Sequence, residues 1–425
     1  MQTDMSNRMR RRDLSKSVLA AALVPDAAAA AGPPPSAGYP RTSNETKAGI
    51  NPVDFKYLPG DIRRSGATMD GTTDDSAAIT RAFKGNAAVY IPAGTVAITR
   101  PVVFAGGPSV LVGSGMDTTT LILRETGALI LGDSTHKTRH NTATIRDLTL
   151  DGNGRRQPTD AICAYSTGWL HFERIMFYQC AGRGIYAERC WDCTVAWCRF
   201  QYCGDTNKAA LHLPYVSVEE NNHWDIVGNQ FEAGYWNDII CTGAAVETDH
   251  FFSRNKFGVP RYVSDSASSV AQYHVYLGNT VGGSIDNNWF FNGGAVYAKA
   301  SMSLKIHNNH GRDLSNGFFT EPGSVATQIF GNHLEGNNDR KNAATGSLTP
   351  GHFGIHVGDR WGYVGPNNMV GKFWTDYHVA NGARETVIDS PVTFGGFCKL
   401  GADGQSSVVA DHGADTLVRQ LNARR

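Results

Sequence analysis

The chain contains no uninterrupted apolar stretch of the roughly 18 residues a membrane span needs, so no transmembrane helix and no membrane partner are expected. It also lacks net charge. Its 39 basic residues match 39 acidic ones, which removes any electrostatic case for nucleic acid or an anionic membrane. No hydrolase triad motif, phosphate loop, calcium-loop pattern or zinc signature occurs, so neither a cofactor nor a metal is expected. Long runs at helical spacing are missing from the central region, because Gly or Asn interrupts each candidate. An α-solenoid is thereby excluded. Glycine, by contrast, is abundant at 47 residues, which fits a turn-dense fold.

A degenerate triplet recurs nine times: an apolar residue, a second position three on, and a third two beyond that. It reads Ile145/Leu148/Leu150, Phe172/Ile175/Phe177, Val195/Cys198/Phe200, Ile226/Asn229/Phe231, Phe252/Asn255/Phe257, Ile285/Asn288/Phe290, Ile306/Asn309/Gly311, Ile329/Asn332/Leu334 and Val364/Asn367/Met369. Copies start 27, 23, 31, 26, 33, 21, 23 and 35 residues apart, a solenoid period stretched by loop insertions. Six middle positions are Asn, which tolerates bent backbone and can hydrogen-bond to its equivalents one rung away. The pattern predicts a parallel β-helix with an asparagine ladder.

A second set of strands follows most triplets, beginning at Ala161, Gly184, Ala210, Asp238, His274, Ala295, Gly317 and Gly354. Positions two and four are apolar or small, and position three is aromatic or His in six of eight copies. Period-two alternation places positions two and four inside and positions one and three outside. A length of 425 residues would ordinarily suggest two or three domains, but a solenoid core extends linearly. One elongated β-helix domain over residues 41–425 is expected, after a targeting segment and linker at 1–40.

That segment carries Arg11-Arg12-Asp13-Leu14-Ser15-Lys16, which is similar to the twin-arginine export motif. A short apolar stretch, an Ala run from Ala27 to Ala31 and a Pro-rich linker from Gly32 to Pro35 follow. A periplasmic or secreted location is expected. Five of eight cysteines fall within residues 180–203. Cys190 and Cys193 have metal-like spacing but no second ligand pair. Cys180 and Cys203 occupy equivalent places on adjacent coils roughly 4.8 Å apart, so a disulfide or a thiol stack is expected rather than a metal. Cys241 reads as a small core residue.

Ahead of the repeats run Asp61 to Ala67 (Asp-Ile-Arg-Arg-Ser-Gly-Ala) and Asp70 to Asp75 (Asp-Gly-Thr-Thr-Asp-Asp). This resembles the opening of pectate-lyase-superfamily right-handed β-helix proteins, where such motifs precede a capping helix. Residues Ser76 to Lys84 support that helix independently. Asp74 or Asp75 can serve as N-cap, Gly85-Asn86 is a stop, and Ala78, Ile79, Ala82 and Phe83 share one face. The resemblance continues through Ala88 to Thr95, Val112 to Gly115 and Leu148 to Gly154. It implies an all-β fold: a single-stranded right-handed parallel β-helix with an N-terminal capping helix. It does not choose among lyases, hydrolases, epimerases and phage tailspikes, the last disfavoured by the export-like segment.

The resemblance also implies that the second strand set lines a sugar groove. Candidate catalytic residues on it are Asp238, His274, Tyr276, His212, Lys299 and Glu321. Candidate substrate-binding residues are Tyr186, Glu188, Tyr297, Phe319 and His356. Asp238 and His274 share a position on consecutive rungs, where a carboxylate can orient an imidazole as general base or acid. Lys299 and Glu321 could neutralise a uronate carboxylate or act as an acid/base pair. Such neighbours also occur as ordinary surface pairs worth under about 1 kcal/mol. Three functions stay open: a lyase acting on an acidic polysaccharide, a glycoside hydrolase with paired carboxylates among Asp238, Glu321 and Glu188, and a non-catalytic glycan-binding surface protein. The partner expected in each case is a polysaccharide.

Overall fold

A computed structural model describes residues 38–104, 108–156, 159–205, 207–215, 221–234, 237–243, 246–258, 273–336, 353–373, 375–380, 383–389, 392–394, 407–411, 417–419 and 422–423. The twin-arginine-like motif and the Pro-rich linker lie outside the described residues. The polypeptide coils into a right-handed parallel β-helix. A 25-stranded parallel sheet wraps two faces, and a 12-stranded parallel sheet forms the third. Among the described residues no helix is long and apolar enough to cross a membrane.

The triplets lie at the bend of the larger sheet, where the chain changes direction without leaving the ladder. The residue before each middle position has a left-handed backbone, from Asp147 (φ 61°) through Arg254 (56°) and Asn308 (56°) to Asn367 (64°). That conformation bends the strand and turns the next side chain inward. The first and third triplet residues then fill the core, except on the last coil, where Val370 takes the place of the exposed Met369. Phe177, Phe200, Phe231, Phe257 and Phe290 stack with ring centroids 4.5, 4.7, 5.1 and 4.9 Å apart, within 11° of parallel. Offset-stacked rings at this spacing add to the area they bury.

The ladder itself is formed by Asn229, Asn255, Asn288, Asn309, Asn332 and Asn368. Each Oδ1 accepts from the backbone N–H and the Nδ2 of the Asn one rung earlier, at 2.9–3.1 Å. The first rung donates in the same way, with the Cys198 N–H on Asn229 Oδ1. The last member differs from the sequence reading. Pro366 lengthens that turn by one residue, so Asn367 takes the left-handed position and Asn368 the ladder.

The N-terminal end is closed as the opening motif implies. Helix α1 (Ser43–Lys47) and helix α2 (Ser76–Gly85) pack there, with Ala78, Ile79 and Ala82 buried and Phe83 against Phe104 at 4.4 Å. Asp75 holds the N-cap position, but its carboxylate accepts the N–H groups of Thr68 and Met69 instead; Asp74 accepts that of Ser76. Arg64 ties the cap together. All five of its guanidinium hydrogens find acceptors: both Glu45 oxygens (2.8 and 3.0 Å) and the carbonyls of Tyr39, Pro40 and Tyr57. Sequence reasoning did not single out this pair.

Cys180, Cys193, Cys198 and Cys203 are buried free thiols and Cys190 and Cys241 are buried as well, so of the two arrangements expected for Cys180 and Cys203 the structure contains the thiol stack. The hydrogen bond to the Cys203 thiol, and then burial, push the Cys180 thiol well above its ordinary value. Among the described residues no cluster of three or more metal-ligating side chains is present.

Candidate functional site

The second strand set forms the smaller sheet in the predicted register. Ile162, Ile185, Leu211, Ile239, Val275, Val296, Phe318 and Ile355 make one inward column, all fully buried. Position three is the outward column. It runs Cys163, Tyr186, His212, Ile240, Tyr276, Tyr297, Phe319 and His356, and His378 extends it by one rung. Ile240 is the one apolar aliphatic there and is buried.

Position one does not face outward. Ala161, Ala210, Asp238, His274 and Ala295 are all at most 5 % exposed. In the first four copies this residue precedes the hydrogen-bonded strand, so it sits in the corner and the alternation does not reach it. Asp238 and His274 do meet, with Nδ1 2.6 Å from Asp238 Oδ2. The other ring nitrogen, Nε2, donates to the carbonyls of Asn292 (2.8 Å) and Phe291 (3.1 Å). The ring also packs on Phe257 and Phe290 at 5.5 and 6.0 Å. Both nitrogens are consumed by the protein itself. The geometry is that of a clasp holding the corner, not of a base presented to a groove.

The exposed chemistry divides into two regions. In the C-terminal half, aromatic rings form a continuous strip. Tyr276 stacks on Tyr297 (4.9 Å, 17°), Tyr297 on Phe319 (5.4 Å, 9°) and Phe319 on His356 (3.8 Å, 9°). His378 Nδ1 lies 2.7 Å from His356 Nδ1. Burial, then the neighbouring His378 charge, lowers His356 to about 3, so its ring is neutral. Beside the strip, Glu321 accepts the Tyr297 hydroxyl and lies 3.6 Å from Lys299 Nζ, whose side chain is 58 % exposed. Burial raises the Glu321 carboxyl above its ordinary range.

In the N-terminal half, Glu188 Oε2 accepts the Tyr186 hydroxyl at 3.0 Å, and its Oε1 lies 2.9 Å from His136 Nε2. His136 Nδ1 lies 2.9 Å from Ser166 Oγ. Tyr186 is edge-on to Tyr165 (6.0 Å) and His212 (5.8 Å), and Arg183 lies 4.6 Å over its ring. Arg183 Nη1 also pairs with Asp160 at 2.9 Å.

Sequence reasoning thus placed Tyr186, Glu188, His212, Tyr276, Tyr297, Lys299, Phe319, Glu321 and His356 on one face. It missed His136, Arg183 and His378. His378 was within reach, because Asp376-Tyr377-His378-Val379 repeats the strand pattern one coil beyond the last triplet. His136 sits at a left-handed loop position (φ 56°) outside any repeat, and no periodic signal marks it.

The three carboxylates weighed for hydrolysis are not brought together. Asp238 is internal, and Glu188 and Glu321 lie five rungs apart, on the order of 24 Å at sheet spacing. Paired carboxylates in glycosidases sit about 5–9.5 Å apart.

Residues 61–261 match the family model for rhamnogalacturonase A/epimerase, pectate-lyase-like proteins. A 179-residue stretch is 27% identical to the pre-neck appendage protein of Bacillus phage B103, covering 39% of this chain and 19% of that protein. Among solved structures, Geobacillus virus E2 ORF18 superposes with a TM-score of 0.58 at 20% identity, over 65% of this chain and 57% of that one. The family 28 exopolygalacturonase of Yersinia enterocolitica gives 0.50 at 10% identity, over 86% of this chain and 78% of that one. The chain therefore spans about a fifth of the phage protein and somewhat over half of the viral structure it matches. With the opening motif, the asparagine ladder and the parallel coils, these likenesses show a right-handed parallel β-helix protein that is pectate-lyase-like over residues 61–261.

Proposed function

We propose that the outer face of the smaller sheet is a polysaccharide groove, and that the protein is an exported enzyme cleaving an acidic, uronate-containing glycan by β-elimination. The observation that carries this reading is the aromatic strip from Tyr276 to His356. Stacked rings on consecutive rungs present a preformed, continuous row of aromatic edges at sheet spacing, an apolar track along which a glycan chain lies at little entropic cost. Lys299 supplies the charge complement. Its exposed pair with Glu321 is worth under about 1 kcal/mol, so a sugar carboxylate can take the ammonium over cheaply. Hydrolysis by paired carboxylates has no such support, since the named acids are too far apart.

A second reading is a glycan-binding surface protein without turnover, favoured by the stretch shared with a phage appendage protein. Both readings place the protein outside the cytoplasm. They separate in one assay on a panel of neutral and acidic polysaccharides, following unsaturated products and reducing ends together. Unsaturated product supports elimination. New reducing ends without unsaturation would exclude it, and binding without either would favour the appendage reading.

A further inference from the structure

The N-terminal cluster holds something the aromatic strip does not: buried polar nitrogens left without a partner. Among the described residues, neither His212 Nδ1 nor Arg183 Nε has a hydrogen-bond acceptor or donor facing it. Both flank the Tyr186 ring, one edge-on from the next rung and one above its face. Leaving two such groups unpaired destabilises the fold, and a protein selected for stability alone would fill those positions otherwise. Burial, and secondarily the Arg183 charge, lowers His212 to about 4, so at neutral pH its ring is uncharged and keeps a free lone pair. Tyr186 behaves oppositely. Burial and the Glu188 carboxylate push its hydroxyl up to about 12, so it holds its proton. A neutral imidazole, a protonated phenol and a cation on adjoining rungs are the parts of a proton-transfer site that awaits an anionic ligand.

We propose that Tyr186 and His212 form the catalytic proton-transfer centre of the groove, that Arg183 receives the sugar carboxylate, and that Glu188 and His136 are positioning residues for Tyr186. This rests on the polysaccharide reading and names the place where bond cleavage occurs. His212 takes the proton from C5, the carbon bearing the uronate carboxyl. The electron pair released forms the C4=C5 double bond, and the C4–O bond breaks with its pair on the leaving oxygen. That oxygen takes the phenolic proton of Tyr186. The His212 imidazolium then returns its proton to the Tyr186 phenolate, directly or through solvent, which restores both groups. The step consumes neither water nor an oxidant. Negative charge developing on the carboxylate during C5 deprotonation lies where Arg183 stabilises it. The incoming carboxylate also offsets the Arg183 charge that disfavours imidazolium, so substrate itself makes His212 a better base.

The test uses the full chain and a polyuronate that the wild type converts to unsaturated product. Tyr186→Phe, which removes only the hydroxyl, and His212→Asn, which keeps a polar side chain in place, should melt near the wild type while losing on the order of a hundredfold or more in kcat. Glu188→Gln, which still accepts the Tyr186 hydroxyl, should lower kcat less than Glu188→Ala at similar KM, a split that a merely structural role would not produce. Arg183→Gln should raise KM for the polyuronate more than it lowers kcat. Wild-type kcat in both Tyr186→Phe and His212→Asn, on a substrate the wild type cleaves, overturns this centre and leaves the groove reading standing. A wild-type protein that binds polyuronate but never yields unsaturated product overturns the eliminative reading, and this centre with it.

Discussion

Replacing Asn288 with Leu removes one rung of the ladder without emptying the space. Asn288 is fully buried, and its Oδ1 is the acceptor for two groups of Asn255, the backbone N–H at 2.9 Å and Nδ2 at 3.0 Å. Its own Nδ2 donates to the Phe252 carbonyl at 2.8 Å and to Asn309 Oδ1 at 3.0 Å. Leucine strands the Asn255 backbone N–H, leaves Asn255 Nδ2 with the Ile226 carbonyl alone (2.8 Å), and deprives two acceptors. Asn309 Oδ1 keeps one partner, the backbone N–H of residue 288, which the substitution leaves in place. One orphaned buried N–H at about 1–3 kcal/mol, with a smaller contribution from the half-satisfied Nδ2, gives a loss of about 1–4 kcal/mol, reduced somewhat by the apolar area leucine adds. In a solenoid the damage is local, because each rung contacts only its neighbours. Hydrogen exchange by mass spectrometry should therefore show faster exchange over residues 252–311, with little change near Arg64 or beyond Val364. An unchanged melting temperature together with unchanged exchange at Asn255 would refute the ladder as a source of stability.

Four further outcomes follow from the same geometry. Asp238→Asn should cost about 3–5 kcal/mol of stability, the scale for breaking a buried pair, while folded protein keeps wild-type activity; selective loss of turnover would return the pair to the active site. The Arg64 guanidinium holds the Glu45 carboxyl below its ordinary value, so its stabilisation is complete above the usual glutamate range and is lost as pH falls through the depressed folded value. Glu45→Gln should accordingly lower the melting temperature at neutral pH, with the gap narrowing in acid; a pH-independent gap would contradict the ion pair. Reducing agent should leave the melting temperature unchanged, and Cys180 and Cys203 should react with alkylating reagents only on unfolding. Phe319→Ala with Tyr297→Ala should weaken binding of an acidic oligosaccharide by at least tenfold without altering the fold, as checked by calorimetry.

Most of the fold was legible because a parallel β-helix writes itself periodically. Each coil supplies an inward apolar residue and a left-handed bend in order, and the five triplets from Asn229 to Asn332 add the ladder side chain. The reading slipped where local chain length changed the register, as when Pro366 moved the ladder from Asn367 to Asn368. It also slipped where alternation was carried past the end of a strand. Asp238 and His274 stand at a corner, and only the three-dimensional turn shows that their side chains point inward. The outward column at position three was found because a run of aromatics there departs from what a solvated sheet requires. His136 and Arg183 lie in loops, whose sequence carries no period, and their meeting with Glu188 and Tyr186 depends on the coil geometry.

The most direct measurement is the location of a bound oligouronate on the solenoid, obtained by crystallography or by hydrogen-exchange footprinting with the oligosaccharide at saturation. Protection or density should run along the smaller sheet, from the Tyr186–His212 rungs to the Phe319–His356 strip. Occupancy confined to either face of the larger sheet, with the smaller sheet unprotected, would contradict the assignment of the groove.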